Sequence, residues 1–420
     1  MSEPTGAKFS LTPRQKKLLP IVMIGAFFEG FDFMVISLVL PKLADSYGVP
    51  ASWPGMSLSI IALGALVAFF VVRLADRVGR RPIFLSSVII YSVFSLLTAL
   101  AGTFTLFVIA QFIARVFLIV CWAVGFIIVV EEFDERFRGR AIGMFQGAAA
   151  IGAIFPNLLL APVMSTALGW KGLFIIGALP LLIIFFVMKN LPETPQFALM
   201  KEGKGENRPP MLAVFAKPYR KHIFAVMALW FCMYLCYTSA MNFYAMRLET
   251  ELLWDSSRLG FSTALAFVIG LAGYWAVGRC MDTFGRKKTA YIFYGMGAAF
   301  VMLFFQSTSY VMAMVSMICA IFFIGTFTVI SASFTNELFP VELRGNAAAW
   351  GNNIVGRLAT ILVPTVVTFM ATQTAWAGTG SGYGNAVTVM AVGGFLCMGI
   401  VFFFMPEPMG FEPTPFEPNK

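Results

Sequence analysis

The fold of this chain is decided by a polar stretch between its second and third apolar segments, Arg73-Leu-Ala-Asp76-Arg77-Val-Gly79-Arg80-Arg81-Pro82. A similar stretch, Arg279-Cys-Met-Asp282-Thr-Phe-Gly285-Arg286-Lys287-Lys288, repeats its arginine, aspartate and glycine 206 residues later. A second pair of motifs keeps the same offset, and its members are Glu131 with Arg138-Gly139 and Glu337 with Arg344-Gly345. Because unrelated segments would not share one offset, the pattern predicts two homologous halves.

The composition is that of an all-α membrane protein. Of 420 residues, 59% are hydrophobic and 12% are charged, whereas soluble domains carry about 25% charged residues. A spanning helix needs roughly 20 apolar residues to cross a hydrocarbon core about 30 Å thick. We place such spans, numbered 1 to 12, near 18–40, 56–75, 83–101, 105–130, 140–166, 172–189, 222–246, 259–280, 289–306, 310–336, 345–371 and 384–405.

The net charge of +9 follows the membrane topology and does not indicate a nucleic-acid partner. Most of the 30 lysines and arginines lie in the two tails and in the loops after even-numbered spans. This positive-inside bias predicts that both termini are cytoplasmic. The loops on the other side are short and the chain has no Asn-x-Ser/Thr acceptor, which favours a bacterial inner membrane.

The sequence offers little for metal binding or catalysis. Cys232 and Cys236 share a helical face, but the only histidine, His222, lies at a helix start, so neither a metal site nor a cofactor is expected. No Ser/His/Asp, Cys/His or phosphate-loop arrangement is present. The sequence therefore argues against an enzyme.

Span 1 carries two acids, Glu29 and Asp32, three residues apart and so on one helical face. A charge at this depth costs about 2.5–3.5 kcal/mol even on the lenient insertion scale, so such residues usually face a cavity or the bundle interior. Two carboxylates this close disfavour double ionisation, and one of them is expected to hold a proton near neutral pH. The alternative is a structural ion pair with Arg115 of span 4, which cannot lose its charge and needs an anion.

Candidate substrate-binding residues lie on spans 4, 7 and 11. Trp122 follows Arg115 by seven residues and shares its face. The remaining candidates lie at helical spacing and are Trp230, Tyr234, Tyr237, Met241 and Tyr244 on span 7, and Trp350, Asn353, Arg357 and Thr360 on span 11. Arg357 has no acid in its own span, which leaves room for an anion supplied by a substrate. Packing between helices, or pairing of Arg357 with Glu29, is the alternative.

The repeated motifs resemble the signatures of the major facilitator superfamily. The opening stretch matches Gly-x-Leu-Ala-Asp-Arg-x-Gly-Arg-Arg except that Val72 replaces the first glycine, which the second copy keeps as Gly278. The Glu131 and Glu337 motifs resemble Glu-x-x-Pro-x-x-x-Arg-Gly, with Asp134 in place of proline in the first copy. The resemblance covers the whole chain and implies twelve transmembrane helices in two pseudo-symmetric six-helix halves that alternate around a midplane site.

The motif residues are predicted to be gates rather than parts of the substrate site. An aspartate near a helix end beside clustered arginines can hold two helices together in one conformation and release them in another. The predicted gate residues are Asp76, Arg77, Gly79, Arg80, Glu131 and Arg138 in the first half, and Asp282, Gly285, Arg286, Glu337 and Arg344 in the second.

Two further resemblances concern function. In the sugar-porter and aromatic-acid branches of the superfamily, a span-1 acid and a span-4 arginine similar to Asp32 and Arg115 couple transport to protons. The segment from Arg344 to Pro364 resembles the span-11 pattern of aromatic-acid/proton symporters and organic-anion carriers, with Ala359 where the pattern has glycine. In those families the second arginine of the pattern serves anionic substrates, a role that the resemblance assigns to Arg357.

These observations predict a six-helix bundle over 1–189, a cytoplasmic linker over 190–221, a second bundle over 222–405 and a cytoplasmic tail over 406–420. The leading hypothesis is a monomeric secondary transporter that imports a small organic acid with protons. The alternatives are a symporter of a neutral metabolite or sugar-like solute and an effluxer of organic anions. A receptor without transport activity is a further alternative, disfavoured by the intact motifs in both halves.

Overall fold

The computed structural model describes residues 11–133, 135–187, 209–373, 375–376, 381–408, 411 and 413–416. Eleven helical segments in these ranges are long and apolar enough to cross a membrane, and a shorter apolar segment, Lys171–Ile183, lies between the fifth and the sixth. The prediction of an all-α, multi-pass membrane protein is therefore confirmed.

The spans of the first half are Pro13–Tyr47, Ser52–Val78, Arg80–Leu100, Phe104–Glu132 and Glu135–Met164, followed by Lys171–Gly177 and Pro180–Val187, which together form span 6. A 3-10 turn, Met211–Phe215, precedes the second half. The spans of the second half are Arg220–Met246 extended by the π turn Arg247–Glu251, Ser256–Phe284, Arg286–Gln306, Tyr310–Ile324 with Phe327–Glu337, Val341–Ala348 with the π segment Ala349–Gly356 and Arg357–Gln373, and Gly382–Phe404.

Span 6 differs from its prediction as a single helix over 172–189. It is interrupted after Gly177, because Pro180 has no backbone N–H with which to continue the helical hydrogen bonds. Most of the predicted linker lies outside the described residues, as does Asp134. The domain boundaries stay a prediction.

Two glycines make the turns between spans 2 and 3 and between spans 8 and 9. Gly79 has φ of 115° and Gly285 has φ of 87°, conformations that glycine adopts readily and residues with a Cβ avoid. Each turn starts a new helix at the following residue, Arg80 or Arg286. Both arginine side chains then lie beside the end of the preceding span.

In the first half, the Arg80 guanidinium holds spans 2, 3 and 4 together. Its Nε lies 3.2 Å from each carboxylate oxygen of Glu131, and its Nη2 donates to Asp76 at 3.0 Å. Its Nη1 donates to the Ala75 carbonyl at 3.0 Å. Arg138 donates to a backbone carbonyl at the end of span 4 at 3.1 Å.

The second half repeats this arrangement with partners shifted by 206 residues. The Nε of Arg286 lies 3.1 and 3.0 Å from the two oxygens of Glu337. Its Nη1 donates to the Met281 carbonyl at 3.1 Å and lies 3.6 Å from Asp282. Arg344 donates to a backbone carbonyl at 3.1 Å, as Arg138 does. The shared sequence offset thus corresponds to a shared three-dimensional cluster, and each cluster joins helices of its own half.

The two clusters differ in burial, which predicts unequal effects of the same substitution. Arg80 and Glu131 have side chains that are 1% and 6% exposed, against 20% and 30% for Arg286 and Glu337. Glu131→Gln leaves a buried guanidinium with less compensation and is expected to lower the free energy of unfolding by about 3 kcal/mol. The matched Glu337→Gln should cost about 1 kcal/mol. Melting of the purified variants checks this, and equal shifts would contradict the burial argument.

The end of the bundle away from these clusters, here called the opposite end, is closed by contacts between the halves. Lys42 at the end of span 1 forms an ion pair with Glu249 at the end of span 7. Further hydrogen bonds join Thr365 to Ser59, and both Tyr244 and Thr263 to Asn157. At this end, span 1 therefore meets span 7, span 2 meets span 11, and span 5 meets both span 7 and span 8.

Breaking the Lys42–Glu249 pair is expected to favour conformations in which the opposite end is open. A partly exposed pair contributes about 1 kcal/mol, which corresponds to roughly a fivefold change in the ratio of two conformations. Spin labels at the exposed loop positions Ala51 and Leu253 would report a larger population of long distances in Lys42→Gln. The charge swap Lys42→Glu with Glu249→Lys should restore the original distribution of distances between the labels. An unchanged distribution in Lys42→Gln would show that the ion pair does not hold the opposite end closed.

Candidate functional site

A cavity of about 220 Å³ lies between the two halves. Spans 1, 2 and 4 line it from the first half, and spans 7, 10 and 11 line it from the second. Pockets for drug-sized ligands measure about 300–1,000 Å³, so this volume suits a small metabolite. Its ionisable and amide lining residues are Glu29, Arg115, Tyr234, Tyr237, Asn242 and Arg357.

Two guanidinium groups face this cavity, one from each half. Arg115 stacks over the Phe33 ring with its Cζ 5.4 Å from the ring centroid, and Arg357 stacks over Tyr234 at 5.7 Å. The ion pairs found among the described residues include neither arginine. Both cations are thus held by aromatic faces while their N–H donors are left for another anion.

The two acids of span 1 have different surroundings. Glu29 lines the cavity, where the charges of Arg115 and Arg357 both act on it. Asp32 is absent from the lining, and a Cβ built on Gly177 of span 6 would lie 2.4 Å from its Oδ1. That Oδ1 is buried and has no hydrogen-bond partner in the described part of the chain. One acid therefore faces the cavity and the other faces the interior of the first half, while the charge of Glu29 still acts on Asp32, as expected for two carboxylates three residues apart.

Close packing of spans 1 and 5 explains this orientation. A Cβ on Gly30 would lie 1.9 Å from the Ala149 carbonyl oxygen, and a Cβ on Gly152 would lie 1.8 Å from the Phe27 carbonyl oxygen. Because the backbones approach so closely, the rotation of span 1 is fixed. Residues 29 and 32, about 60° apart around the helix, then fall on either side of the boundary of the cavity.

Span 7 supplies a longer polar face than the aromatic spacing indicated. Tyr234, Thr238 and Asn242 recur every four residues and all line the cavity, together with Tyr237. The Tyr234 hydroxyl donates to Asn352 of span 11 at 2.8 Å. Thr238 and Asn242 were not among the predicted residues, which on span 7 were large aromatic or methionine side chains, although their four-residue spacing from Tyr234 is visible in the sequence.

Three candidates of span 7 do not line the cavity, namely Trp230, Met241 and Tyr244. Three predicted substrate-binding residues of spans 4 and 11 do not line it either. Trp122 stacks on Phe126 with ring centroids 5.8 Å apart, two helical turns from Arg115. Trp350 donates from Nε1 to the Met211 carbonyl at 3.0 Å.

The third is Asn353. The α-helical periodicity placed Asn353 and Trp350 on the face of Arg357, but residues Ala349–Gly356 form a π segment. A π turn contains more residues than an α turn, so the side chains before Arg357 are rotated away from their expected direction. Neighbouring Asn352, which was not among the predicted residues, contacts Tyr234 instead. Thr360, after the π segment, lines the cavity as its spacing from Arg357 indicated.

The predicted gate residues are all distinct from the cavity lining. Arg77 is exposed beside the first cluster, and Asp282 is exposed beside the second.

Among the described residues there is no group of three or more His, Cys, Asp or Glu side chains able to hold a metal ion. The cavity itself thus contains the chemistry available for recognition: two cations, one acid, hydroxyls, an amide and aromatic rings.

Comparison with curated proteins gives relatives that are transporters rather than enzymes. The 3-(3-hydroxy-phenyl)propionate transporter of Escherichia coli is 27% identical over 94% of this chain and 95% of its own length. The sialic acid transporter NanX of the same organism is 26% identical over a shorter match, which spans 53% of this chain and about half, 55%, of that protein.

Comparison with solved structures supports the fold. A bacterial homologue of the human lysosomal transporter Spinster, in an inward-facing and occupied conformation, superposes with a TM-score of 0.77 at 15% identity. The superposition covers 94% of this chain and 97% of the other. The family model of the Major Facilitator Superfamily matches residues 22–364. The chain therefore belongs to the Major Facilitator Superfamily.

Proposed function

We propose that this protein is a secondary transporter that takes up a small organic acid, as its anion, together with protons. The observation that carries this proposal is the charge of the cavity, where Arg115 and Arg357 face a single acid, Glu29. With all three ionised, the cavity has one positive charge in excess. Buried guanidinium groups bind carboxylates through paired, charge-assisted hydrogen bonds, so a substrate carboxylate would neutralise the excess positive charge of the cavity.

The body of the substrate would lie against aromatic and aliphatic side chains. Phe33 and Tyr237 line the cavity close to the two guanidinium groups, and Leu58 and Ile61 add an apolar wall. Such a mixture of apolar surface and few polar groups is typical of small-molecule sites. Relatives named for a phenylpropionate and for sialic acid are consistent with an organic acid.

Asp32 is the proposed proton carrier. Its Oδ1 is buried without a hydrogen bond, an arrangement that is costly for an ionised carboxylate and much less costly for a protonated one. The charge of Arg115 also acts on Asp32, so a substrate that engages Arg115 would favour proton uptake. A monoanion carried with one proton moves no net charge, and its uptake would follow the pH gradient rather than the membrane voltage.

The orientation completes the proposal. The positive-inside bias supports cytoplasmic termini in an inner membrane, which would place the Arg80 and Arg286 clusters on the cytoplasmic side. The opposite end, closed by the Lys42–Glu249 pair, would then be periplasmic. This structure would accordingly represent a conformation closed to the outside.

Counterflow in proteoliposomes tests the proposed function. Vesicles loaded with an unlabelled ring-bearing carboxylate such as benzoate or 3-phenylpropionate should take up the labelled acid, and the corresponding neutral amides should not compete. Uptake that responds to the amides as well as to the acids would instead favour the neutral-metabolite alternative. Binding without counterflow would favour a receptor.

A further inference from the structure

We propose that Glu29 is a charge selector that restricts the cavity to substrates with a single carboxylate. The inference rests on the proposed function, since it specifies which acids the same cavity accepts. It assigns to Glu29 a role different from that of Asp32, which lies only three residues away. The separation of their environments by the packing of span 1 makes this division possible.

The charged residues of the cavity lining are unequal in number. Among the described residues that line the cavity, Glu29 is the only acid, and Arg115 and Arg357 are the only cations. Both guanidinium charges act on the Glu29 carboxylate. The excess of one positive charge suits one carboxylate, whereas a second would face Glu29 in a confined space, and like charges so placed cost several kcal/mol.

Glu29 therefore occupies the electrostatic position that the second carboxylate of a diacid would need. Asp32 lies outside the lining and beside Gly177, where a Cβ would lie 2.4 Å from Asp32 Oδ1. Because the charges of Arg115 and Glu29 also act on Asp32, it leaves this count only while it holds the proton that it is proposed to carry. Removal of the Glu29 charge would leave two cations, and the preferred ligand would become a diacid.

Two probes of equal size and different charge isolate this effect: terephthalate and its monoamide. Their affinities for the purified protein are measured by calorimetry in wild type, Glu29→Gln and Glu29→Asp. Wild type and Glu29→Asp should prefer the monoamide. Glu29→Gln should shift the ratio of affinities towards terephthalate by about tenfold or more. An unchanged ratio in Glu29→Gln would overturn the inference.

A second variant tests the charge count if Glu29→Gln does not fold. Asn242 lines the cavity from span 7, and Asn242→Lys adds a cation while Glu29 is kept. The same shift towards terephthalate is expected, and its absence would count against charge selection. If wild type binds neither benzoate nor the monoamide, the proposed function fails as well; if it binds them and both variants keep the wild-type ratio, only the role of Glu29 is refuted.

Discussion

Arg357→Ala is expected to remove most of the affinity of the protein for its organic-acid ligand. Arg357 is the cation that the second half contributes to the cavity, and its guanidinium is held over Tyr234 with no ion pair among the described residues. Loss of such a charged contact typically costs about 2–5 kcal/mol, or on the order of 30- to 5,000-fold in affinity. Calorimetry with benzoate or 3-phenylpropionate would measure the change.

Arg357→Lys tests whether binding needs only the positive charge of residue 357 or also the planar shape of its guanidinium group. Lysine keeps the positive charge but lacks the planar fork that makes two parallel hydrogen bonds to a carboxylate, so this variant should also be markedly impaired.

Arg258→Ala is a matched control for the loss of a stacked arginine. Arg258 stacks over Tyr310 at 5.1 Å, much as Arg357 stacks over Tyr234, but it is exposed and lies outside the cavity. The affinity of the Arg258→Ala protein for the acid should equal that of wild type. Normal binding of the acid by Arg357→Ala would refute the organic-anion proposal and favour a neutral substrate.

Asp32→Asn is expected to abolish accumulation of substrate against its gradient while exchange continues. Asparagine has the shape of the protonated acid but cannot release a proton, so the pH gradient no longer acts on the transport cycle. A gradient of one pH unit supplies about 1.4 kcal/mol, enough for about tenfold accumulation when one proton accompanies each monoanion. In the variant, the concentrations inside and outside the vesicles should become equal.

Asp45→Asn gives the control for this experiment, since Asp45 lies on the same helix but is exposed near the opposite end. It should accumulate substrate as wild type does. Preserved accumulation in Asp32→Asn would mean that another group carries the proton. Counterflow by the same vesicles shows whether the variant is still a functional carrier.

The sequence indicated that motif residues would cluster at the helix ends of both halves, but it did not indicate which of them pair. A glycine turn, an arginine one residue later and a glutamate near the end of span 4 recur at a fixed offset, and the structure shows Arg80 on Glu131 and Arg286 on Glu337. The glycine turns are local, but each arginine–glutamate pair joins residues 51 positions apart on different spans, so packing of the spans brings its members together.

The cavity was harder to predict because its charged residues have no charged counterparts 206 positions away in the other half. Positions 206 residues from Arg115 and Arg357 hold Ile321 and Ile151, and the position that corresponds to Asp32 holds Thr238. Helical periodicity indicated Tyr234 on span 7 and Arg357 on span 11 as candidate substrate-binding residues, and both line the cavity, but it misplaced Asn353. That error came from the π segment Ala349–Gly356, which changes the angle per residue over its eight residues.

The sequence by itself determined that this protein is helical, crosses the membrane many times and consists of two related halves, because hydrophobic length, charge distribution and a repeated offset are properties of the chain. The tertiary structure decided which charged residues share the cavity. Glu29 and Asp32 lie three residues apart, and only the contact of Gly30 with span 5 sends one towards Arg357 and the other towards Gly177. Helix rotation depends on packing between distant segments, and a pattern within one helix does not contain it.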